Sequence, residues 1–313
     1  MTATTPPCRR AARPRDAGVP RARAPARQRN AGVPRAAPVV RHLQGRLIPS
    51  LHQRSWQAAR VTPALDVDLF QGRLDGEPAL EVALAPALLE LVAGGQRGPV
   101  LRCYRPPPTV AFGRRDTFLP GFAAAAGAAR HHGCTPVIRA AGGRAAAYDE
   151  GCLVLDEVMP ATDWLTGIEA RFASDSERQA AALRALGIDA RVGEVPGEYC
   201  PGAFTVNAGG ARKLIGAAQR AVPGGWLLST VVVVSSTARV RRVLESVYDA
   251  LELDWDPATV GAVADEVPGV SIDDVETALL AAYAQRYHLH PAVLGPRELT
   301  AATERVARHR VPA

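Results

Sequence analysis

The chain contains 313 residues, of which 47% are apolar and 22% are charged, enough to build a hydrophobic core in one large or two modest domains. Its formal net charge of +6 is uneven, because residues 1–60 hold thirteen arginines and one acid, Asp16, which leaves 24 basic and 30 acidic residues elsewhere. A nucleic-acid partner is therefore disfavoured, since phosphate binding needs a basic face on the folded part of the protein.

Apolar runs and cysteines narrow the class further. The longest apolar runs, such as residues 231–234, are far shorter than the ~20 residues that span a bilayer, and the N-terminal residues lack the apolar stretch of a signal peptide. The five cysteines are odd in number and scattered, which is typical of reduced thiols. These features predict a cytoplasmic protein with no membrane partner.

Three parts are expected along the chain. Residues 1–60 are rich in Arg, Ala and Pro without apolar periodicity, and such a composition predicts a disordered extension. Residues 61–236 alternate between strand and helix patterns in one α+β domain, and residues 237–313 form a helical C-terminal part of that domain. Tyr283, Tyr287, His288 and His290 are interpreted as the end of a helix.

The predicted elements follow in chain order. Helices are expected at 79–92, 120–130, 167–186, 238–251, after Ser271, and near 297–309. Strands are expected at 99–104, 109–113, 135–139, 144–148, 152–159, 204–206, 213–217 and 226–234. The continuous apolar run at 152–155 predicts a strand that is buried on both faces.

Two neighbouring glycines mark the first candidate site. Arg139 ends one predicted strand, Gly142 and Gly143 follow, and a second strand leads to Asp149. Glycine amides beside a guanidinium suit an anion such as a carboxylate or a phosphate. The alternative is an ordinary hairpin turn between two strands.

A single lysine marks the second candidate site. Of the 37 basic residues 36 are arginine, and only Lys213, just inside a predicted strand, is lysine. An ammonium held on a strand can polarise a carbonyl group, whereas the alternative is an exposed lysine on a sheet. His131, His132 and Cys134 lie close in sequence, but no fourth ligand has matching spacing, so no metal site is predicted.

Together these stretches resemble the superfamily of lipoate–protein ligases, octanoyltransferases and biotin–protein ligases, over about residues 70–290. The positions that match the family's arginine and glycine turn, its lysine strand and its upstream Gly-Arg pair are Arg139, Gly142, Gly143, Asp149, Gly151, Lys213, Gly216, Gln219, Gly113 and Arg114. The sequence departs from the family at Arg144, Tyr148 and Cys152, where the family has a third glycine, a histidine and an asparagine.

The resemblance implies an α+β fold in which a mixed, largely antiparallel sheet is flanked by helices, with a helical C-terminal part. It implies lipoylation as the function, the attachment of a lipoyl or octanoyl group to the lysine amine of a lipoyl carrier domain. Such domains belong to the E2 subunits of 2-oxoacid dehydrogenases and to the glycine cleavage H protein.

Two mechanisms follow from the resemblance. In the ligase version, which is the first expectation, ATP and Mg²⁺ activate lipoate as an acyl-adenylate, and Lys213 binds the reacting oxygens. In the transferase version no cofactor is needed: octanoyl–acyl carrier protein supplies the acyl group, Cys200 holds it as a thioester, and Lys213 supports the thiolate. A buried loop cysteine without a catalytic role is the alternative for Cys200, and a non-catalytic acyl- or carrier-binding relative is the alternative for the whole chain.

Overall fold

The structure, a computed structural model, describes residues 64–312 and has a mixed α+β fold. The predicted extension at residues 1–60 lies outside the described residues. The helices are α1 (Pro78–Ala93), α2 (Phe122–His131), α3 (Ile168–Ala185), α4 (Thr237–Ala250), α5 (Val263–Glu266), α6 (Ile272–Ala284) and α7 (Pro296–Thr303). The strands are β1 (Leu65–Gln71), β2 (Val100–Tyr104), β3 (Thr109–Phe112), β4 (Thr135–Ile138), β5 (Ala146–Tyr148), β6 (Cys152–Ala161), β7 (Ala190–Val192), β8 (Val206–Ala208), β9 (Arg212–Val222), β10 (Gly224–Val233) and β11 (Tyr287–Pro291).

A large sheet forms the centre of the described part of the chain. Its eight strands lie in the order β11-β1-β2-β6-β10-β9-β8-β7. β1 is parallel to β2 and to β11, and all the other neighbouring pairs are antiparallel. The predicted mixed, largely antiparallel sheet is thus confirmed.

Helices cover both faces of the large sheet. On one face α1 contacts β6 and β10, and its apolar side chains share a core with Val158 and Leu227. On the other face α3 and α6 contact each other, and their core includes Leu153 and Leu155. The first eight residues of β6 are buried, as its apolar run predicts.

The small sheet excludes the hairpin that the sequence left as the alternative for Gly142 and Gly143. Its strand order is β4-β3-β5, with β4 parallel and β5 antiparallel to β3, so β4 and β5 do not pair with each other. The segment that contains Gly142 and Gly143 is therefore a loop that passes over the end of β3. A Cβ atom at Gly113, just after β3, would lie 1.8 Å from the carbonyl oxygen of Gly143, so this crossing requires glycine at 113.

The C-terminal part is not wholly helical. Of the residues interpreted as the end of a helix, Tyr283 lies in α6, but Tyr287, His288 and His290 lie in strand β11, at the edge of the large sheet beside β1. Neither β1 nor β11 was among the predicted strands, and β8 begins at Val206 rather than at residue 204. Ser271 does cap α6, because its hydroxyl accepts a hydrogen bond from the Asp274 amide at 3.1 Å. Within residues 64–312, no helix is both long and apolar enough to cross a membrane.

Candidate active site

Cys200 lies in the loop between β7 and β8, in a backbone conformation that few non-glycine residues adopt, with φ of +44°. Two contacts fix it there: its amide donates to the Tyr248 hydroxyl at 2.9 Å, and that hydroxyl donates to the Ala145 carbonyl at 3.0 Å. Burial raises the pKa of Tyr248, so its hydroxyl stays protonated and can donate. The loop of Cys200 is thereby tied to the small sheet.

The sulfur of Cys200 faces hydrogen-bond donors. The backbone amide of Arg144 donates to Sγ at 3.1 Å, and Nη2 of Arg139 lies 3.8 Å from it. A thiolate is an anion, and a backbone N–H and a nearby guanidinium stabilise it. These contacts bring together Cys200 and Arg139, two of the residues that the sequence predicted for the site.

Lys213 lies beneath the same loop and is buried, with 3% of its surface exposed. Its ammonium is paired with Glu198 Oε2 at 2.9 Å and donates to the carbonyls of Tyr199 at 3.1 Å and Cys200 at 2.9 Å. A Cβ atom at Gly216 would lie 2.8 Å from Cε of Lys213, which explains the glycine three residues further on. The lysine therefore holds the cysteine loop in place, rather than presenting a free ammonium to a substrate.

Glu198, which the sequence analysis did not assign to the site, is the partner of Lys213 and organises its own loop. Its Oε1 accepts hydrogen bonds from the amides of Val195 at 3.2 Å and Gly202 at 3.3 Å, and from the Thr205 hydroxyl at 2.9 Å. The Glu198-Tyr-Cys-Pro-Gly run next to the lysine strand was the available signal for this residue. The sequence gives no sign that Tyr248 belongs to the site, because it is one of several residues on the apolar face of α4.

Arg139 organises the glycine loop. Its guanidinium donates to the carbonyls of Ala111 at 2.6 Å and Gly142 at 3.0 Å, and also to the Arg144 carbonyl. Gly143 has φ of +93°, and a Cβ there would lie 2.7 Å from Arg139 Nη2 and 2.8 Å from Cys200 Sγ. The sequence predicts this arginine as an anion ligand, whereas the structure uses its donors to shape the loop against the sulfur.

Two cavities meet at Cys200 and Lys213, which line both. The first, of about 90 Å³, runs between α1, the small sheet and the large sheet. Its lining includes the apolar residues Val82, Ala85, Pro86, Ala146, Ala147, Val154, Leu227 and Val231, and also the charged residues Glu81, Arg139, Asp156 and Lys213. The second, of about 430 Å³, is lined by Gly142, Gly143, Gln219 and the stacked rings of Phe172 and Phe204, whose centroids are 5.7 Å apart.

The remaining predicted residues divide between the site and the framework. Gln219 lines the second cavity, and its Oε1 accepts from Arg171 at 3.2 Å while its Nε2 has no partner. Asp149 and Gly151 line neither cavity: Asp149 Oδ1 accepts from the Gly151 amide at 2.9 Å and from the Ser236 hydroxyl at the start of α4.

The Gly113-Arg114 pair lies on the framework side of the glycine loop. The amide of Gly113 donates to Asp116 Oδ2 at 2.9 Å, and the side chain of Arg114 is exposed. Neither residue lines either of the two cavities. Of the departures from the family pattern, Arg144 supplies the amide to Cys200, and its guanidinium pairs with Asp116 at 3.1 Å.

Comparison with known proteins agrees with this architecture. The family model of the lipoyl protein ligase A/B catalytic domain matches residues 77–284, and the chain belongs to this family. Among solved structures, a bipartite lipoate protein ligase from Thermoplasma acidophilum has a TM-score of 0.60 at 21% identity, covering 78% of this chain and 92% of that one. A lipoate-protein ligase A bound with ATP also has a TM-score of 0.60, at 23% identity, covering 78% and 95%.

Curated relatives carry a transferase name. The octanoyl-GcvH:protein N-octanoyltransferase of Geobacillus kaustophilus is 33% identical over 162 residues, which is 52% of this chain and 57% of the relative. The protein of the same name from Anoxybacillus flavithermus is 32% identical over 161 residues, 51% of this chain and 57% of the relative. The matched part thus spans a little more than half the length of these relatives.

Proposed function

We propose that this protein is an acyltransferase that moves an octanoyl or lipoyl-type acyl group between carrier domains through a thioester on Cys200. The observation that carries the proposal is the position of the Cys200 sulfur, at the junction of an apolar cavity and a second opening, with the Arg144 amide 3.1 Å away. The names of the curated relatives support a glycine cleavage H protein as one carrier. E2 lipoyl domains are the other carriers proposed.

The proposed reaction has two balanced steps. The Cys200 thiolate attacks the carbonyl carbon of a carrier thioester, a new C–S bond forms, and the carrier thiolate leaves and takes up a proton. The lysine amine of the acceptor domain then attacks the enzyme thioester, a C–N bond forms, and the Cys200 thiolate leaves while the amine loses a proton. The Arg144 amide and the Arg139 guanidinium lie where they would stabilise the thiolate in both steps.

The two cavities suit two different parts of the reaction. The narrow apolar cavity suits an acyl chain, because burying each methylene group gains about 0.8 kcal/mol. The larger cavity, which carries the unpartnered Gln219 amide, suits the arm of a carrier domain. Lys213 acts as a positioning residue, since its three donors hold Glu198 and the carbonyls of the cysteine loop.

The residues fit an ATP-dependent reaction less well. Lys213 is neutralised by Glu198, Arg139 donates to three backbone carbonyls, and Arg144 is paired with Asp116. A triphosphate needs cationic donors that are not already engaged in this way. ATP-dependent ligation is therefore the competing outcome of the experiment below.

Intact-mass measurement of the full chain tests the proposal. Octanoyl carrier protein without ATP should give an octanoyl adduct on Cys200, which a lipoyl domain then discharges. Cys200→Ser should form no thioester and no product, whereas Cys134→Ala, a buried cysteine that lines neither cavity, should behave as wild type. Acylation of the lipoyl domain by Cys200→Ser with free octanoate, ATP and Mg²⁺ would overturn the transferase proposal in favour of ligation.

A further inference from the structure

The floor of the first cavity follows the register of the large sheet. Ala218 on β9 pairs with Ser229 on β10, Ser229 pairs with Asp156 on β6, and Asp156 pairs with Arg102 on β2. Neighbouring strands are ~4.8 Å apart, so the distance from β9 to β6 is roughly 10 Å, similar to the length of an extended eight-carbon chain. An acyl chain that starts at Cys200, beside β9, would bring its distal end close to Asp156.

The end of this cavity that lies away from Cys200 carries polar side chains. Asp156 lines the cavity with 1% of its surface exposed, and its Oδ1 accepts a hydrogen bond from Ser229 at 2.6 Å. Its Oδ2 has no hydrogen-bond partner, the guanidinium Nη1 of Arg102 being 3.5 Å away. The carboxyl group therefore has a free acceptor position in a cavity whose lining also includes Glu81.

Arg102 satisfies Asp156 only in part, because its Nη2 is paired with Glu81, its Nη1 lies 3.5 Å from Asp156 Oδ2, and its Nε has no partner. It is completely buried, is paired with Glu81, and lies over the ring of Tyr104 with 3.7 Å to the centroid. One positive group thus faces two carboxyl groups. Burial also raises the pKa of Asp156, as expected for a carboxyl group short of partners.

A terminal methyl group would leave Oδ2 of Asp156 unpaired and remove any water that could serve it. A distal hydrogen-bond donor would instead complete its contacts, and a buried acceptor left unpaired costs more than the bond itself contributes. We propose that this protein prefers an octanoyl-type chain that carries a hydrogen-bond donor such as a hydroxyl at its distal end, and that Asp156 and Ser229 recognise this donor. This inference rests on the proposed function and names its substrate class, a medium-chain acyl group with a polar distal end.

The closing experiment compares two acyl groups on the full chain. Carrier protein loaded with octanoyl or with 8-hydroxyoctanoyl groups is supplied, and the rate of Cys200 acylation is followed by intact mass. Wild type should favour the hydroxylated chain by about tenfold or more in kcat/KM, as expected for a hydrogen bond to a charged or strongly polar group. Equal rates, or a preference for octanoyl, would overturn the inference.

Two variants test whether Asp156 causes the preference for the hydroxylated chain. Asp156→Leu should abolish or reverse it by improving the use of octanoyl. Glu157→Gln is the matched control, because Glu157 is the next residue on β6, is equally buried, and faces the opposite side, where it accepts from the Tyr287 hydroxyl. It should keep the wild-type preference, and an unchanged preference in folded Asp156→Leu would contradict the role of Asp156. If Asp156→Leu does not fold, the wild-type comparison still decides.

A binding measurement separates this inference from the proposed function. Calorimetry with free octanoic acid and 8-hydroxyoctanoic acid on Cys200→Ser protein needs no turnover. Tighter binding of the hydroxy acid, without acylation of wild type in the kinetic experiment, would support the polar pocket and reject the thioester mechanism. Acylation of wild type together with tighter binding of octanoic acid would support the thioester mechanism and reject the polar pocket.

Discussion

At the scale of single residues, the ion pair of Lys213 and Glu198 governs the geometry of the cysteine loop. Both side chains are buried, so each charge has lost its hydration and depends on the other and on the surrounding hydrogen bonds. Removing one partner of such a pair typically costs about 3–5 kcal/mol, because the other charge stays buried alone. The only lysine of the chain is therefore placed where a compact ammonium is required.

Lys213→Arg should severely impair acyl transfer even though it keeps the charge. The planar guanidinium is larger than an ammonium and does not fit the compact space against Gly216 from which the ammonium contacts Glu198 and two carbonyls. A displacement of the cysteine loop by about 1 Å is expected to lower the rate on the order of 10²-fold. The measurement is the rate of acyl transfer, with circular dichroism to confirm folding.

The converse exchange at the adjacent residue is the control for this prediction. Arg212 is exposed and pairs with Glu266, so Arg212→Lys should be silent. Wild-type turnover by folded Lys213→Arg protein would contradict the positioning role.

Gly143→Val should lower activity more than stability. Its Cβ would come within 2.8 Å of the Cys200 sulfur, and its φ of +93° is strained for a branched side chain. We expect a rate loss of about 10²-fold or more from displacement of the sulfur and of Arg139. Gly142→Ala gives the comparison, because a Cβ there meets no atom within 4 Å and should cause a much smaller loss. Equal effects of the two substitutions on the rate would show that the loop does not position Cys200.

Sequence motifs predict the members of this site better than their roles. Arg139 and Gly143 do lie beside the Cys200 sulfur and Lys213 donates to the Cys200 carbonyl, because a motif preserves residue types that fit one backbone arrangement. The carbonyl groups to which an arginine or a lysine donates are determined by contacts between loops that are distant in sequence. The framework role of Asp149 could not be predicted for this reason, since its partner Ser236 is 87 residues away.

At the scale of secondary-structure elements, local patterns and long-range pairing contribute differently. The helices and the buried strand β6 follow from local apolar patterns, which a sequence displays directly. The strand order does not: β4 and β5, separated by one glycine loop, both pair with β3 instead of with each other. β11 pairs with β1 across more than 200 residues, and a short exposed segment such as 287–291 gives little local signal for that pairing.

Buried carboxyl groups between α3 and the large sheet predict how the free energy of unfolding depends on pH. Burial raises the pKa of Asp175 to about 7, and it also raises that of the neighbouring Glu157. An unfolded aspartate titrates near ~3.9, so between about pH 4 and pH 7 the native state binds more protons than the unfolded state. The free energy of unfolding should therefore fall as the pH rises through this window.

Urea unfolding at pH 5 and pH 8 measures this effect. Wild type should lose stability between the two values, and Asp175→Asn should lose less, because the amide cannot ionise. Carboxyl groups whose pKa is lowered, such as that of Asp274, change stability mainly below this window. The same decrease in wild type and in Asp175→Asn would assign the pH dependence to other groups.

At the scale of the whole molecule, the site lies where three layers meet. The first cavity is enclosed by α1, the small sheet and the large sheet, and the cysteine loop closes it beside β9. None of these layers could bury the cavity alone, so its shape depends on the packing of elements from residue 78 to residue 233. The described core from β1 to α7 thus contains all the groups on which the proposed reaction depends.

Removal of residues 1–60 should therefore leave both stability and acyl transfer unchanged. Thirteen arginines, abundant proline and no apolar periodicity give this segment little surface to bury, so it contributes no core of its own. A chain that starts at Val61 should keep the melting temperature and the transfer rate of the full chain. A chain that starts at Gly72 is the matched control, because it also lacks β1, which pairs with both β2 and β11, and it should melt at a lower temperature. A loss of several degrees on removal of residues 1–60 alone would show that the segment packs against the core, and a loss of transfer at constant melting temperature would show that it takes part in binding a carrier.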